Sequence, residues 1–193
     1  PIQAETIVPL LEGHDVIGQA QTGTGKTAAF ALPLLSRLKP ASASVQTLVL
    51  TPTRELAIQV AEAMRTYARY LDDFHVLPVY GGQSMSQQLR GLRRAPHVIV
   101  GTPGRVLDHI RRKTLRLDGL TSVVLDEADE MLSSGFKDQM YKIFTFMPNE
   151  VQIGLFSATL SNDVLELADS FMKHPTKILV KSDQLTLQGI AQY

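Results

Sequence analysis

A chain of 193 residues with 44% hydrophobic content and no cysteine is long enough for one globular domain burying roughly 70% of its unfolded surface, and it excludes disulfides and cysteine-ligated zinc. Nineteen basic and nineteen acidic residues cancel, which argues against attachment to nucleic acid by bulk charge. No run approaches the roughly 18 apolar residues of a membrane span, and the opening PIQAETIVPLLEGHD lacks the order of a signal peptide, so a monomeric intracellular domain is expected, in the cytoplasm with the nucleus left open.

Short apolar runs rich in β-branched residues alternate with segments of helical spacing. This predicts an α/β fold, a mostly parallel sheet covered by helices on both faces. Ligands of such sheets bind at the carboxyl ends of the strands. The first strand, Asp15 to Gln19, runs into Ala20-Gln21-Thr22-Gly23-Thr24-Gly25-Lys26-Thr27, a strand, a glycine-rich turn and a helix start in the order of a P-loop. Glycines let backbone N–H groups and a helix N-terminus converge on one anion, Lys26 adds a point charge, and the Thr27 hydroxyl can ligate Mg2+. The usual pattern opens on Gly where this chain has Ala20, a residue small enough to serve. Pro33 is expected to kink or distort the helix that follows, and Pro40 to Val45 reads as a surface loop.

The second strand, Thr47 to Thr51, leads into Pro52-Thr53-Arg54-Glu55-Leu56-Ala57 and a helix whose Leu56, Val60, Met64, Tyr67 and Leu71 recur at core spacing. Strand His75 to Tyr80 precedes Gly81-Gly82, with Gln87-Gln88-Leu89-Arg90 a weaker signal beyond it. Strand His97 to Gly101 precedes Thr102-Pro103-Gly104-Arg105. Arg90, Arg93, Arg94, Arg105, Arg111, Arg112, Lys113 and Arg116 form a basic run opposed only by Asp108. By itself the run reads as solvated helix faces.

Strand Ser122 to Asp126 ends in Asp126-Glu127-Ala128-Asp129. Taken alone, these carboxylates could be an acidic turn capping the next helix. Beside a phosphate loop they suit another use, because buried charge needs a partner or a metal. Asp126 is the natural Mg2+ ligand, which frees Glu127 to orient a water for attack on a terminal phosphorus. Strand Gln152 to Ser157 leads into Ala158-Thr159, then a helix with Val164, Leu167, Ala168 and Phe171 inward, and a last strand from Lys177 to Val180. The histidines, His14, His75, His97, His109 and His174, show no metal-ligand spacing and read as surface or packing residues.

Together these motifs resemble the DEAD-box family of ATP-dependent RNA helicases, along the whole chain. Pro1-Ile2-Gln3 resembles the end of the family's Q motif, whose Gln reads the adenine edge by donating and accepting at once. Ser157-Ala158-Thr159 resembles the SAT motif, and the resemblance implies that its hydroxyls bond Asp129 and couple the ATP site to RNA. Pro52, Thr53, Arg54 and Glu55, then Gly81 and Gly82, then Thr102, Pro103, Gly104 and Arg105, match the RNA-contacting motifs. Small residues, hydroxyls, Arg and helix starts suit a sugar-phosphate backbone rather than base edges. Parts of the basic run are expected to line or flank the RNA.

What the resemblance implies is a three-layer αβα, RecA-like P-loop NTPase domain spanning residues 1–193. ATP and Mg2+ are its cofactors, with Lys26, Asp126 and Glu127 catalytic. Its partners are RNA, a second RecA-like domain carrying the arginine fingers, and protein cofactors. The chain is expected to be a fragment nearly inactive by itself: it begins inside the Q motif, and Leu185-Thr186-Leu187-Gln188-Gly189-Ile190 resembles the lead-in to the second domain. Another P-loop ATPase, such as a DNA translocase or transporter motor, is the first rival reading, opposed by the DEAD and SAT runs and Gln3. The second is an RNA clamp in which ATP binding matters more than turnover.

Overall fold

The computed structural model describes residues 1–180; the lead-in at 185–190 lies outside them. Seven strands form one sheet: β1 (Val16–Gln19), β2 (Thr47–Leu50), β3 (Val76–Val79), β4 (Val98–Gly101), β5 (Ser122–Asp126), β6 (Gln152–Ser157) and β7 (Thr176–Leu179). Each matches an expected strand to within one residue at either end. All pairings are parallel, in the order β3-β4-β2-β5-β6-β1-β7. The interior strands β2, β4, β5 and β6 are buried along their whole length, as a parallel sheet covered on both faces requires.

Among the described residues eight helices cover it: α1 (Ile2–Leu11), α2 (Lys26–Ser36), α3 (Arg54–Tyr67), α4 (Met85–Leu92), α5 (Pro103–Arg111), α6 (Ala128–Ser133), α7 (Lys137–Phe144) and α8 (Asn162–Phe171). On one face α1, α2 and α3 bury Ile2, Leu10, Phe30, Leu34, Val60 and Met64 against Val16, Val49, Val100 and Phe156. On the other, α5 to α8 pack Val106, Met131, Met140, Ile143 and Leu167 on Leu48, Ile99, Val123 and Leu155. Helix α1 is not expected from the sequence, while α2 runs unbroken through Pro33, the site expected to distort it.

Register brings the strand ends level. Gln19 of β1 lies beside Ser157 of β6, and Asp126 of β5 beside Phe156. On the other half, Leu50 and Val79 both lie beside Gly101. One edge of the sheet therefore carries two neighbouring sites, one over β5-β6-β1 and one over β3-β4-β2.

Candidate active site

Between β1 and α2 the chain turns through Gly23 and Gly25, both left-handed at φ 79° and 85°, a conformation that a side chain resists. Gly25 caps α2, and a Cβ there would collide with the Gln3 amide. Gln3 instead donates from Nε2 to the Gly25 carbonyl at 3.3 Å, tying α1 to the loop. Thr24 donates its hydroxyl to the Gln21 carbonyl at 2.7 Å. Ala20 is buried, its N–H donating to the Ser157 carbonyl at 3.0 Å. Its methyl packs among the core residues under the loop, which explains why Ala stands there.

Lys26 is 6% exposed and Asp126 3%, yet Lys26 Nζ and Asp126 Oδ1 have no hydrogen-bond partner among the described residues. Both line one cavity of about 510 Å³ with Gln3, Thr22, Gly23, Gly25, Thr27 and Glu127. Burial pushes the Asp126 carboxyl up to about 6, Lys26 pulls it back down, and Glu127 adds to the rise. Unpartnered buried charges are costly. An oxyanion chelated to a divalent cation would satisfy both at once, so the donor set fits a Mg2+–nucleotide, with Thr27 and Asp126 able to hold the metal and Lys26 a phosphate.

The raised carboxyl gives a stability prediction for the metal-free domain. Its folded pKa, about 6, exceeds the ordinary 3.8, so the stability its proton confers is complete below about pH 4 and lost as pH rises through 6. Asp126→Asn removes that loss, which is of order 3 kcal/mol. With chelator present, the variant is expected to melt several degrees above wild type near pH 8 and to converge with it near pH 4. Parallel melting curves at both pH values would contradict this.

Glu127 caps α6 in the left-handed region, φ 54° and ψ 52°, an uncommon place for a non-glycine residue that marks functional turns. The twist carries the chain from buried Asp126 to buried Ala128 while Glu127 stays partly exposed at the cavity wall. One turn on, Asp129 Oδ2 accepts from the Thr159 hydroxyl at 2.8 Å and its N–H at 3.0 Å. Ser157 accepts from the Asp129 N–H at 3.2 Å and donates to the Thr159 carbonyl at 2.7 Å. Partial burial works against the Asp129 carboxylate, but the bonds from Thr159 together with Ser157 and the Glu130 backbone outweigh it and hold its pKa below the ordinary value. Gln19 adds a bond the sequence did not suggest, from Nε2 to the Ala158 carbonyl at 3.2 Å. The ends of β1, β5 and β6 are thereby one connected unit.

Over β3-β4-β2 the three loops expected to touch RNA lie side by side. Thr53 caps α3, accepting from the Leu56 N–H at 3.2 Å over buried Pro52. Thr102 precedes α5, whose first residue is Pro103, and makes no capping bond. Gly81 and Gly104 border open space, and a Cβ on Gly82 would meet Arg54 Nη1 at 3.9 Å. Arg54 is exposed and bonded through Nε to Glu55 at 3.0 Å, so the Glu55 carboxylate here holds Arg54 rather than facing outward alone. Arg105 is half-buried and fastened through Nη1.

One expectation changes. Leu56 and Tyr67, read as core, line the cavity with Gln59, Val60 and Ala63 of α3, while Met64 is core and Leu71 exposed. Part of the basic run, Arg105, stands beside the loops expected to touch RNA, bonded to the Gln83 carbonyl. Arg93 and Arg94 follow α4, and Arg111, Arg112, Lys113 and Arg116 end or follow α5, so both groups lie where helices return to the opposite edge of the sheet. His109, read as surface or packing, is buried and hydrogen-bonded.

The DEAD/DEAH box helicase family model matches residues 1–167. The chain belongs to that family. It is 52% identical over its full length to the DEAD-box ATP-dependent RNA helicase CshA of Bacillus cereus, of which it covers 37%. The ATP-dependent RNA helicase DeaD of Buchnera aphidicola is 52% identical over 192 residues, 32% of that protein. This DEAD-box domain thus spans about a third of those relatives. A solved DEAD box protein from Methanococcus jannaschii, 39% identical, superposes with a TM-score of 0.88 over 92% of this chain and 48% of its own, so the αβα layering is that of a DEAD-box RecA-like domain.

Proposed function

We propose that residues 1–193 are the ATP-binding domain of an ATP-dependent RNA helicase, which couples Mg-ATP hydrolysis to local duplex unwinding when joined to a second RecA-like domain. The observation that carries this reading is the pair of buried, unpartnered opposite charges, Lys26 Nζ and Asp126 Oδ1, on one cavity. Lys26 and the N–H groups of the glycine loop neutralise phosphate charge, Gln3 meets the adenine edge, and Thr27 and Asp126 hold Mg2+. The metal, when bound, supplies charge neutralisation that a developing phosphoryl transfer needs. Glu127 orients a water and takes its proton.

Asp129, Ser157 and Thr159 pass the state of that site along the sheet edge, and the loops at Pro52–Glu55, Gly81–Gly82 and Thr102–Arg105 hold RNA by its backbone. Among the described residues no arginine lines the cavity. An arginine finger contributes about 10³ to 10⁵ in rate in P-loop enzymes, so the second domain has to supply it. The full-length relatives' names fit this reading, which also places the protein inside the cell with RNA and protein cofactors as partners.

The test is phosphate release and strand displacement by the 193-residue chain alone and with a second RecA-like domain joined. The chain alone is expected near background. The joined protein should be stimulated by RNA and not by DNA, and Ser157→Ala with Thr159→Ala should spare part of its hydrolysis while impairing unwinding. Robust hydrolysis by the chain alone, or equal stimulation by DNA, overturns the reading.

A further inference from the structure

Gln88 is 1% exposed in α4, and every hydrogen bond its amide can make is made. Nε2 donates to the Tyr80 carbonyl at 2.8 Å and to Gln83 Oε1 at 2.9 Å. Oε1 accepts from Arg105 Nη1 at 3.1 Å and from His109 Nε2 at 2.8 Å. Two donors and two acceptor sites are the whole capacity of a glutamine. The partners come from three places: the end of β3 just before Gly81, the turn just after Gly82, and α5.

Arg105 is fixed by the same arrangement. Nη1 donates to the Gln83 carbonyl at 2.9 Å as well as to Gln88, which uses both of its protons. Nε and Nη2 make no hydrogen bond among the described residues. Since a guanidinium is rigid and planar, anchoring one nitrogen sets the direction of the other donors. His109 completes the support. Gln88 Oε1 can only accept, so the His109 proton sits on Nε2. Burial, then the charge of Arg105, lowers the His109 pKa, and on the far side of the ring Nδ1 lies 2.8 Å from the Thr114 hydroxyl, which also donates to the His109 carbonyl at 3.0 Å.

We propose that Gln88 is a positioning residue of the RNA-backbone site, locking the Gly81–Gly82 loop and aiming the free edge of Arg105 at a phosphate. This rests on the RNA reading above. Gln88 never touches the RNA and carries no charge, yet it governs whether one charge contact is made. A residue that only fills space would not alter the number of phosphates neutralised.

The experiment measures fluorescence anisotropy of a labelled single-stranded oligouridylate with the 193-residue chain across a salt series, with Mg-ADP affinity of each variant measured alongside. Gln88→Leu is expected to bind roughly 10-fold more weakly, as the loss of one charge-assisted contact would give. Its plot of log K against log salt should be shallower by about 0.7, one phosphate on a single strand. Arg105→Ala should show the same change of slope, and the double variant should bind no worse than Arg105→Ala. Mg-ADP affinity of Gln88→Leu should match wild type. If that substitution disrupts the domain and ADP binding falls, Gln88→Glu decides: its carboxylate would neutralise Arg105, and the slope is again expected to drop. Wild-type affinity and slope in the variants overturn the inference while leaving the RNA site standing. Absence of salt-dependent binding by wild type overturns the RNA reading itself.

Discussion

Lys26→Ala is expected to weaken Mg-ADP binding by roughly 10- to 150-fold, the equivalent of one charge-assisted hydrogen bond of about 1.5–3 kcal/mol. The effect is large because Lys26 is buried at the floor of the cavity with no partner for Nζ, so its charge is poorly screened and its donors are held in reserve. Lys26 also carries the positive charge that pulls the buried Asp126 carboxyl down, so removing it leaves that carboxylate uncompensated, and the thermal midpoint of the nucleotide-free variant should fall near pH 8 and less near pH 4, where Asp126 is protonated. A fluorescent ADP analogue titrated into both proteins, with a melting curve of each, checks the pair of outcomes. Equal affinity would mean that the cavity does not take the phosphates where we place them.

In the protein joined to a second RecA-like domain, Glu127→Gln is expected to lower the turnover number by about 10² to 10⁴, the range for loss of a positioned general base, while ATP and RNA affinities change little. The amide keeps the volume of the carboxylate and can remain in the left-handed cap of α6, so the turn from Asp126 to Ala128 is preserved. What it cannot do is accept a proton from water. The discriminating measurement is single-turnover phosphate release beside equilibrium ATP binding. If ATP binding failed along with turnover, Glu127 would belong to the nucleotide or metal shell, and the division of labour between Asp126 and Glu127 would be wrong.

The sheet was legible because each strand is a short run of its own, with β2, β4, β5 and β6 apolar and buried on both faces, and because the phosphate loop and the acidic strand end are contiguous runs whose spacing is their chemistry. What the sequence hid depends on residues distant along the chain. Gln88 looks like any polar residue of a helix, and its partners Tyr80, Gln83, Arg105 and His109 meet only after β3, α4 and α5 pack. The basic run divides in space because a helix between parallel strands returns to the other edge of the sheet, taking Arg93, Arg94 and Arg111 to Lys113 with it and leaving Arg105 at the near one. Helix α3 shows the same limit in reverse: one apolar stripe supplies Met64 to the core and Leu56 and Tyr67 to the cavity, a difference that periodicity cannot register. Helix α1 carries Pro9 at an interior position, which works against reading it as a helix at all.

If one Mg-nucleotide is held between the glycine loop and the end of β5, backbone amide NMR of the 193-residue chain during titration with Mg-ADP reports where it sits. Shifts are expected to concentrate at Gly23 to Thr27, Asp126 and Glu127, with smaller ones at Gln3 and along the α3 wall at Gln59 and Ala63, and with the shifts at Asp126 and Glu127 reduced when ADP is added with chelator. Shifts confined to the opposite edge of the sheet, or none at the glycine loop and the β5 end, would contradict that placement.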